Sequence, residues 1–156
     1  MTELPTELLE SIARGIHEGY RHDQVGRKPA EDPAMAEWDD LPEHLRESNR
    51  AQAAGIFQKL RALGCTVHPV RDREVELMVF SDAEIERMAE MEHDRWVAER
   101  RADGWTPGER DPLAKTSPYF VNWDDLPEEV REWDREAVRR IPELLAGVGV
   151  EIRRGG

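Results

Sequence analysis

Apolar residues recur at helical spacing over several long stretches, which predicts a mainly α-helical chain. In residues 4–23 they fall three or four positions apart and define one buried helix face. A second helix is predicted to begin at Asp40, which forms a capping box with Glu43 three residues later. Gly64 is expected to end this helix, because glycine readily adopts the left-handed conformation of a C-terminal cap.

The second half of the chain has the same organisation. Ser81 and Glu84 form another capping box and predict a helix that continues to about Asp103. A last helix is predicted to begin at Asp125, with Glu128 as its capping partner.

Short strands and one long loop are predicted around these helices. Strand-forming residues occupy 66–70, 75–80 and 148–152, and Pro142 must interrupt the last helix because its ring clashes with the preceding turn. Residues 105–122 form the longest connection, and loops of that length inside a domain tend to be functional or disordered. Its aromatic residues favour an ordered loop. The expected fold class is mainly α with a small antiparallel sheet.

Part of the sequence occurs twice. The hexapeptide Trp-Asp-Asp-Leu-Pro-Glu stands at residues 38–43 and again at 123–128. Aligned without a gap, segments 38–67 and 123–152 share further identical pairs: Arg46/Arg131, Glu47/Glu132, Arg50/Arg135, Ile56/Ile141, Leu60/Leu145 and Gly64/Gly149. Such a repeat predicts a pseudo-two-fold duplication of one helix–loop–helix–strand unit.

The similarity continues upstream at a shorter offset, where His17 and Tyr20 match His93 and Trp96. Two copies of one unit are expected to pack together, because neither can bury its apolar face alone. We therefore predict a single domain over residues 1–156, with a cleft between its two repeats.

Composition narrows the possible partners. The 156 residues include 22 basic and 34 acidic side chains, a net charge of −12 that disfavours DNA, RNA and anionic membranes. A local group of arginines can still attract a small anion. The single Cys65 excludes an internal disulfide and a cysteine zinc site, and it is expected in the core. Without a membrane-length apolar run or a signal pattern, the predicted location is the cytoplasm.

Several short motifs together resemble the ryanodine-receptor repeat family (Ryr domain), in particular bacterial and phage proteins with two repeats. They are His-Asp-Arg-Trp at 93–96, Gly104-Trp105, Lys-Thr-Ser-Pro at 115–118, the duplicated hexapeptide, and Leu-Gly-Cys at 63–65. The resemblance implies a helical two-repeat fold, with repeats at about 4–68 and 81–152, and a non-catalytic role. It also implies nucleotide binding, since these repeats in calcium-release channels are implicated in binding adenine nucleotides.

Tyr20 and Trp96 are the leading candidates for ligand contact. Flat rings facing each other across the cleft would hold a planar base, at about 1–3 kcal/mol per stacked ring. Periodicity alone favours the simpler interpretation that both rings are core residues. The resemblance favours the clamp, because the family's aromatic residue at this position lines the inter-repeat cleft.

Other candidate ligand contacts lie near these rings or in the long loop. Arginine suits phosphate and carboxylate groups, although most surface arginines are simply solvated or ion-paired. Trp105 is interpreted as a pocket wall or an anchor of the loop. The remaining candidates are Arg21, Arg27, Arg95, Arg100, Lys115 and Ser117.

His17 and His93 each stand one helical turn before an aromatic residue. They are predicted to be structural hydrogen-bonding residues, with Asn49 and Asp134 as possible partners. No metal site, cofactor or catalytic residue is predicted, because the sequence has no nucleophile elbow, glycine-rich phosphate loop or ligand cluster.

The expected function is a non-catalytic module that binds a nucleotide or a nucleotide-derived signal, acting as a sensor, an adaptor or a sponge. A different class of function stays open, namely a protein-interaction or assembly module with a partner protein or as a homo-oligomer. A nucleotide-processing enzyme is the third and least favoured alternative.

Overall fold

The computed structural model describes residues 6–23, 35–111 and 113–155, and it confirms a mainly helical fold with a minor β component. Helices dominate because apolar residues at helical spacing give each one a face to bury. The helices are α1 Thr6–Asp23, α2 Glu43–Ala62, α3 Asp82–Ala102, α4 Glu128–Arg139 and α5 Ile141–Ala146.

The strands are few and short. β1 Cys65–Pro69 pairs antiparallel with β4 Val150–Arg154, with Val67 opposite Ile152. This pairing confirms the predicted small antiparallel sheet. In the long connection after α3, β2 Thr106–Pro107 pairs in parallel with β3 Thr116–Ser117.

The described residues fall into two compact units. The first takes those up to Val79 and those from Ile141 onward, and the second is Phe80–Arg140. In the first unit α1 packs on α2 and α5, and Ile12, Leu60 and Leu145 are at most 1% exposed. Each such side chain contributes roughly 1.5–3 kcal/mol through burial.

In the second unit α3 packs on α4. Met88 and Ala89 of α3 are fully buried, and Val130 and Val138 of α4 are also buried. Among the described residues, no helix combines the length and the hydrophobicity that crossing a membrane requires.

The helix starts predicted at Asp40 and Asp125 are wrong. Both aspartates belong to short 3-10 turns, and α2 and α4 begin only at Glu43 and Glu128, without a side-chain cap. The cause is the proline that precedes each helix, since a residue before proline disfavours the helical conformation. Leu41, in that position, is extended with ψ of 133°. The two aspartates are therefore separated from the helices they were expected to cap.

Other predicted boundaries are confirmed. Ser81 and Glu84 form the expected capping box, in which the Ser81 Oγ accepts from the Glu84 amide at 3.2 Å. Gly64 ends α2 with φ of 74°, a left-handed conformation that suits glycine. The interruption at Pro142 also occurs, since α4 ends at Arg139 and α5 begins at Ile141.

The strand predicted at 75–80 does not form. The segment has no regular secondary structure, and side chains hold its backbone where a strand would use backbone bonds. Glu151 of β4 accepts hydrogen bonds from the guanidinium of Arg73 and from the amide of Glu76. Leu77 and Val79 point outward, at 54% and 84% exposed. Exposed and less exposed side chains thus alternate over 77–80, as they do in a strand, but the segment does not pair with another strand.

Corresponding residues of the two sequence repeats make corresponding contacts. Arg50 binds Glu10, Glu43 and Glu47 in the first unit, just as Arg135 binds Glu86, Glu128 and Glu132 in the second. Trp38 and Trp123, at the start of the repeated hexapeptide, are both buried. These parallels support the duplication, which itself stays a prediction, as does the single two-repeat domain over 1–156.

Candidate functional site

A pocket of about 260 Å³ lies within the second unit, among α3, α4 and the connection between them. Its aromatic lining is unusual for a chain in which only 6% of residues are aromatic. These rings are Trp96, Trp105, Tyr119 and Trp133. The polar lining is His93, Arg100, Arg110, Ser117 and Asp134.

Helical spacing explains how α3 and α4 supply their part of the lining. His93, Trp96 and Arg100 lie three and then four residues apart, so they share one face of α3. Asp134 lies four residues after the buried Val130 on the same side of α4, and Trp133 lies at the border between that side and the polar face. The connection between α3 and α4 supplies the rest of the pocket lining. Its short parallel pairing holds Ser117 beside the segment that follows Trp105.

Arg100 contacts two indole rings. Its guanidinium carbon is 5.7 Å from the ring centroid of Trp96 and 5.3 Å from that of Trp105. Both distances are within cation–π range. Trp96 also packs against Phe120, at 5.2 Å between ring centroids. Trp96 is therefore a packed wall of the pocket, and it fixes the position of Arg100.

Trp133 is the most accessible ring of the pocket. Its side chain is 58% exposed, and it meets Tyr119 edge to face at 6.2 Å between centroids. More than half of the surface of Trp133 is therefore available for contact with another group. Tyr119 is positioned in turn by its backbone amide, which donates to the Ser117 Oγ at 3.2 Å.

His93 and its counterpart His17 are both buried and bind backbone carbonyls. His93 Nε2 donates to Val121 O at 2.7 Å, and His17 Nε2 donates to Ala36 O at 2.6 Å. Because a carbonyl can only accept, each Nε2 carries the proton. The histidines thus anchor the segment before each 3-10 turn. Asn49 is not the partner of either, since its amide donates to Leu45 O in its own helix.

The two arginines of the pocket differ from most others in this acidic protein. Among the described residues, no carboxylate lies within ion-pair distance of Arg100 or Arg110. Arg95, one turn before the pocket, is tied to Glu92 at 2.8 Å and to Glu99 at 3.4 Å. Burial alone would lower the pKa of Arg95, but these two carboxylates outweigh it and raise that pKa.

Four of the predicted contact residues are brought together in this pocket, namely Trp96, Arg100, Trp105 and Ser117. Arg95 faces its acidic partners and does not line the pocket. Lys115 also lies outside it, because its ammonium group binds the carbonyl and the carboxylate of Asp103, at 3.0 and 3.4 Å. Arg27 lies outside the described residues.

Tyr20 and Arg21 belong to the first unit, on α1. Arg21 donates to Met35 O at 3.1 Å and pairs with Glu18 at 3.2 Å, so its guanidinium is already engaged. The clamp of Tyr20 and Trp96 across a cleft between the repeats stays a prediction. The pocket described above needs neither Tyr20 nor the first unit.

Sequence reasoning missed Arg110, Tyr119 and Trp133 as pocket residues. A signal for Trp133 was available in the repeat alignment, where the first copy has Ser48. A large aromatic residue on a polar helix face, present in one copy only, has no structural counterpart to explain it. That asymmetry distinguishes a candidate binding residue from the shared framework of the repeats.

A metal ion in a protein is usually held by several His, Cys, Asp or Glu side chains. The part of the chain that the structure describes has no group of three such residues that could hold one. A family model described as the RyR domain matches residues 68–154. The matched segment is more than half of the chain and contains every residue that lines the pocket. The chain therefore belongs to the RyR domain family.

Proposed function

We propose that this protein is a non-catalytic module that binds a small, planar, anionic ligand of the nucleotide class in the aromatic pocket of its second unit. One observation carries the proposal: four aromatic rings line the same pocket as two arginines that have no carboxylate partner among the described residues. Planar bases stack on aromatic rings, and guanidinium groups bind phosphate and carboxylate oxygens.

Trp133 is the ring on which the ligand stacks. Trp96 and Trp105 already pack against Arg100, whereas Trp133 is largely exposed. Stacking of a base on such a ring is worth about 1–3 kcal/mol and tolerates different bases. Trp133 therefore provides affinity for planar ligands in general. The polar residues of the pocket determine which of these ligands binds best.

The local charge of the pocket supports an anionic ligand despite the net charge of −12. At physiological ionic strength, exposed charges are screened beyond about 8 Å. A ligand inside the pocket is affected mainly by the groups that touch it. Arg100 and Arg110 outnumber the single carboxylate there, that of Asp134.

The same geometry supports binding without chemistry. The Nε2 of His93, the histidine of the pocket, is committed to a backbone carbonyl. The hydroxyl of Ser117 accepts from a backbone amide and has no histidine partner among the described residues. A nucleophile with its activating base is the usual signature of covalent catalysis. We propose a role as a sensor, an adaptor or a sponge for a signal molecule in the cytoplasm.

Calorimetry with ATP, ADP-ribose and cyclic nucleotides tests the proposal. We expect at least one of them to bind, and we expect Trp133→Ala to weaken that binding by about 5- to 150-fold. Leu113→Ala is the matched control, because Leu113 is 97% exposed and does not line the pocket. Absence of binding by the wild-type protein, or equal affinities of the two variants, contradicts the proposal.

A second candidate function is a protein-interaction or assembly module. The neighbouring Leu77 and Val79, at 54% and 84% exposed, favour it, since adjacent exposed apolar side chains can form an interface patch. Size-exclusion chromatography with light scattering detects a stable oligomer directly. Conversion of any of these nucleotides to a product, followed by chromatography, would instead indicate the third alternative, a nucleotide-processing enzyme.

A further inference from the structure

We infer that the pocket contains an anion subsite, formed by Arg100, Arg110 and Ser117, that accepts a single anionic group attached to one planar ring system. The ligand class is thus that of a nucleoside monophosphate, and a second phosphate or a second nucleoside lies outside the site. The inference rests on the proposed function and makes it more specific.

Arg100 supplies N–H groups that are available to an anion. The indoles of Trp96 and Trp105 lie against the guanidinium at 5.7 and 5.3 Å from their centroids. Rings that stack on a guanidinium leave its in-plane N–H groups for hydrogen bonds. None of these groups has a hydrogen-bond acceptor among the described residues. A phosphate or carboxylate oxygen is the acceptor that fits this geometry.

Ser117 adds a buried donor. Its side chain lines the pocket and the residue is only 4% exposed. The Oγ accepts from the Tyr119 amide at 3.2 Å, which leaves the hydroxyl proton free to donate, and no acceptor for it occurs among the described residues. A buried donor without an acceptor is costly, so a ligand oxygen at this position gains from it.

Arg110 brings a second guanidinium from the connection. The subsite thus collects three donor groups, of which two are charged, against one carboxylate in the whole lining, that of Asp134. Asp134 already has an interaction partner within the protein. The subsite thus has more hydrogen-bond donors than acceptors, which suits a ligand group that only accepts hydrogen bonds, such as a phosphate.

The size of the pocket limits what else it holds. Its volume of about 260 Å³ lies below the range of roughly 300–1,000 Å³ that is typical of small-molecule sites. We expect this space to hold one ring system on Trp133 and one anionic group at Arg100 and Ser117. Groups added beyond the first phosphate extend into solvent and contribute little to affinity.

Calorimetric titration of the full chain with adenosine, AMP, ADP and ADP-ribose tests the inference. We expect AMP to bind at least ten-fold more tightly than adenosine, as a charge-assisted contact provides. We expect ADP and ADP-ribose to bind within about three-fold of AMP, because their additional groups have no partners in the pocket.

Single substitutions test which residues form the anion subsite. Arg100→Ala and Ser117→Ala should each reduce the preference for AMP over adenosine, and Arg100→Lys should restore only part of it, because lysine lacks the planar edge. Arg101→Ala is the control, since Arg101 is the neighbouring residue of α3 and contacts Phe120 without lining the pocket. Arg110→Ala provides a second test at an exposed position where folding is not at risk, and circular dichroism melting verifies each variant.

The outcomes separate this inference from the proposed function. Equal binding of AMP and adenosine, or equal effects of Arg100→Ala and Arg101→Ala, overturns the anion subsite while stacking on Trp133 stands. Much tighter binding of ADP or ADP-ribose overturns the limit of one anionic group. If none of the four probes binds, the inference fails, and the proposed function fails as well unless ATP or a cyclic nucleotide binds.

Discussion

Glu151 shows how one buried carboxylate organises a segment that lacks secondary structure. Hydrogen bonds from Arg73, from the amide of Glu76 and from Arg153 hold the pKa of Glu151 well below its ordinary value of 4.5. The side chain is only 5% exposed, so its charge depends on these partners. Without them a buried carboxylate would favour its neutral form.

The substitution Glu151→Gln is expected to lower the melting temperature at pH 7 by several degrees. A carboxyl group whose pKa is lower in the folded state stabilises the fold above its unfolded pKa, near 4.5. This stabilisation disappears as the pH falls through the folded value. The difference between wild type and variant should therefore be largest at neutral pH and shrink below about pH 4.5 in thermal melts.

Glu74→Gln is the matched control for this experiment, because Glu74 lies in the same segment with its side chain exposed. A constant difference between wild type and Glu151→Gln from pH 7 to pH 3 would show that the charge of Glu151 does not contribute.

At the same scale, the sequence predicted some residues of the pocket and missed others for a definite reason. Trp96 and Arg100 share the periodic face of α3, so a pattern could group them. Trp133 lies on the polar side of α4, where a pattern alone does not tell a solvent-exposed ring from a pocket wall. Arg110 comes from an irregular connection, in which periodicity carries no information.

Among the elements, the 3-10 turn at Trp123–Asp125 connects the pocket to the core of the second unit. The indole Nε1 of Trp123 donates to Glu86 at 2.9 Å, and the guanidinium of Arg135 lies over its ring at 5.8 Å. Arg135 in turn holds the pKa of Glu86 below its ordinary value, chiefly through a hydrogen bond. Trp123 therefore ties α3 and α4 together at the end where the connection enters α4.

Trp123→Ala is expected to reduce the free energy of unfolding by about 3–5 kcal/mol, because it removes a buried ring and leaves a cavity. Trp133→Ala is the matched control, an identical change at a residue that is 58% exposed, and it should cost less than about 1 kcal/mol. Urea unfolding followed by circular dichroism measures both. Similar losses for the two variants would mean that Trp123 is not the structural link described here.

Element boundaries were predictable where a single local interaction determines them. The box of Ser81 and Glu84 involves two side chains and two amides within four residues, so it could be recognised without the fold. The same motif at Asp40 failed because a proline two residues later imposed a different backbone. The segment at 75–80 failed because a strand needs a partner, and the pairing of β1 with β4 is a long-range event.

For the whole molecule, the repeat predicted an architecture but not a location for the site. Equivalent arginines and tryptophans hold equivalent turns in both units. The pocket, however, uses residues that the first copy does not share, with Trp133 in place of Ser48. The contacts that the two repeats share thus belong to the framework of each unit, and the pocket residue Trp133 lies where the repeats differ. A pattern common to both copies therefore identified the scaffold better than the site.

The net charge of the whole chain leads to a kinetic prediction. At −12, the protein repels an approaching anion at long range, although Arg100 and Arg110 attract it at contact. The range of this repulsion falls from about 30 Å at 0.01 M salt to about 8 Å at 0.15 M. The association rate constant of AMP should therefore rise with ionic strength, opposite to the behaviour of a ligand steered by attraction.

Stopped-flow tryptophan fluorescence can measure this rate, because three indoles line the pocket. Adenosine, which is uncharged, should associate at a rate that does not depend on salt, and it separates electrostatics from general salt effects. A rate for AMP that falls as salt is added would show that the field of the two arginines extends beyond the pocket and outweighs the acidic surface. In that case the arginines would steer the ligand from solution as well as bind it at contact.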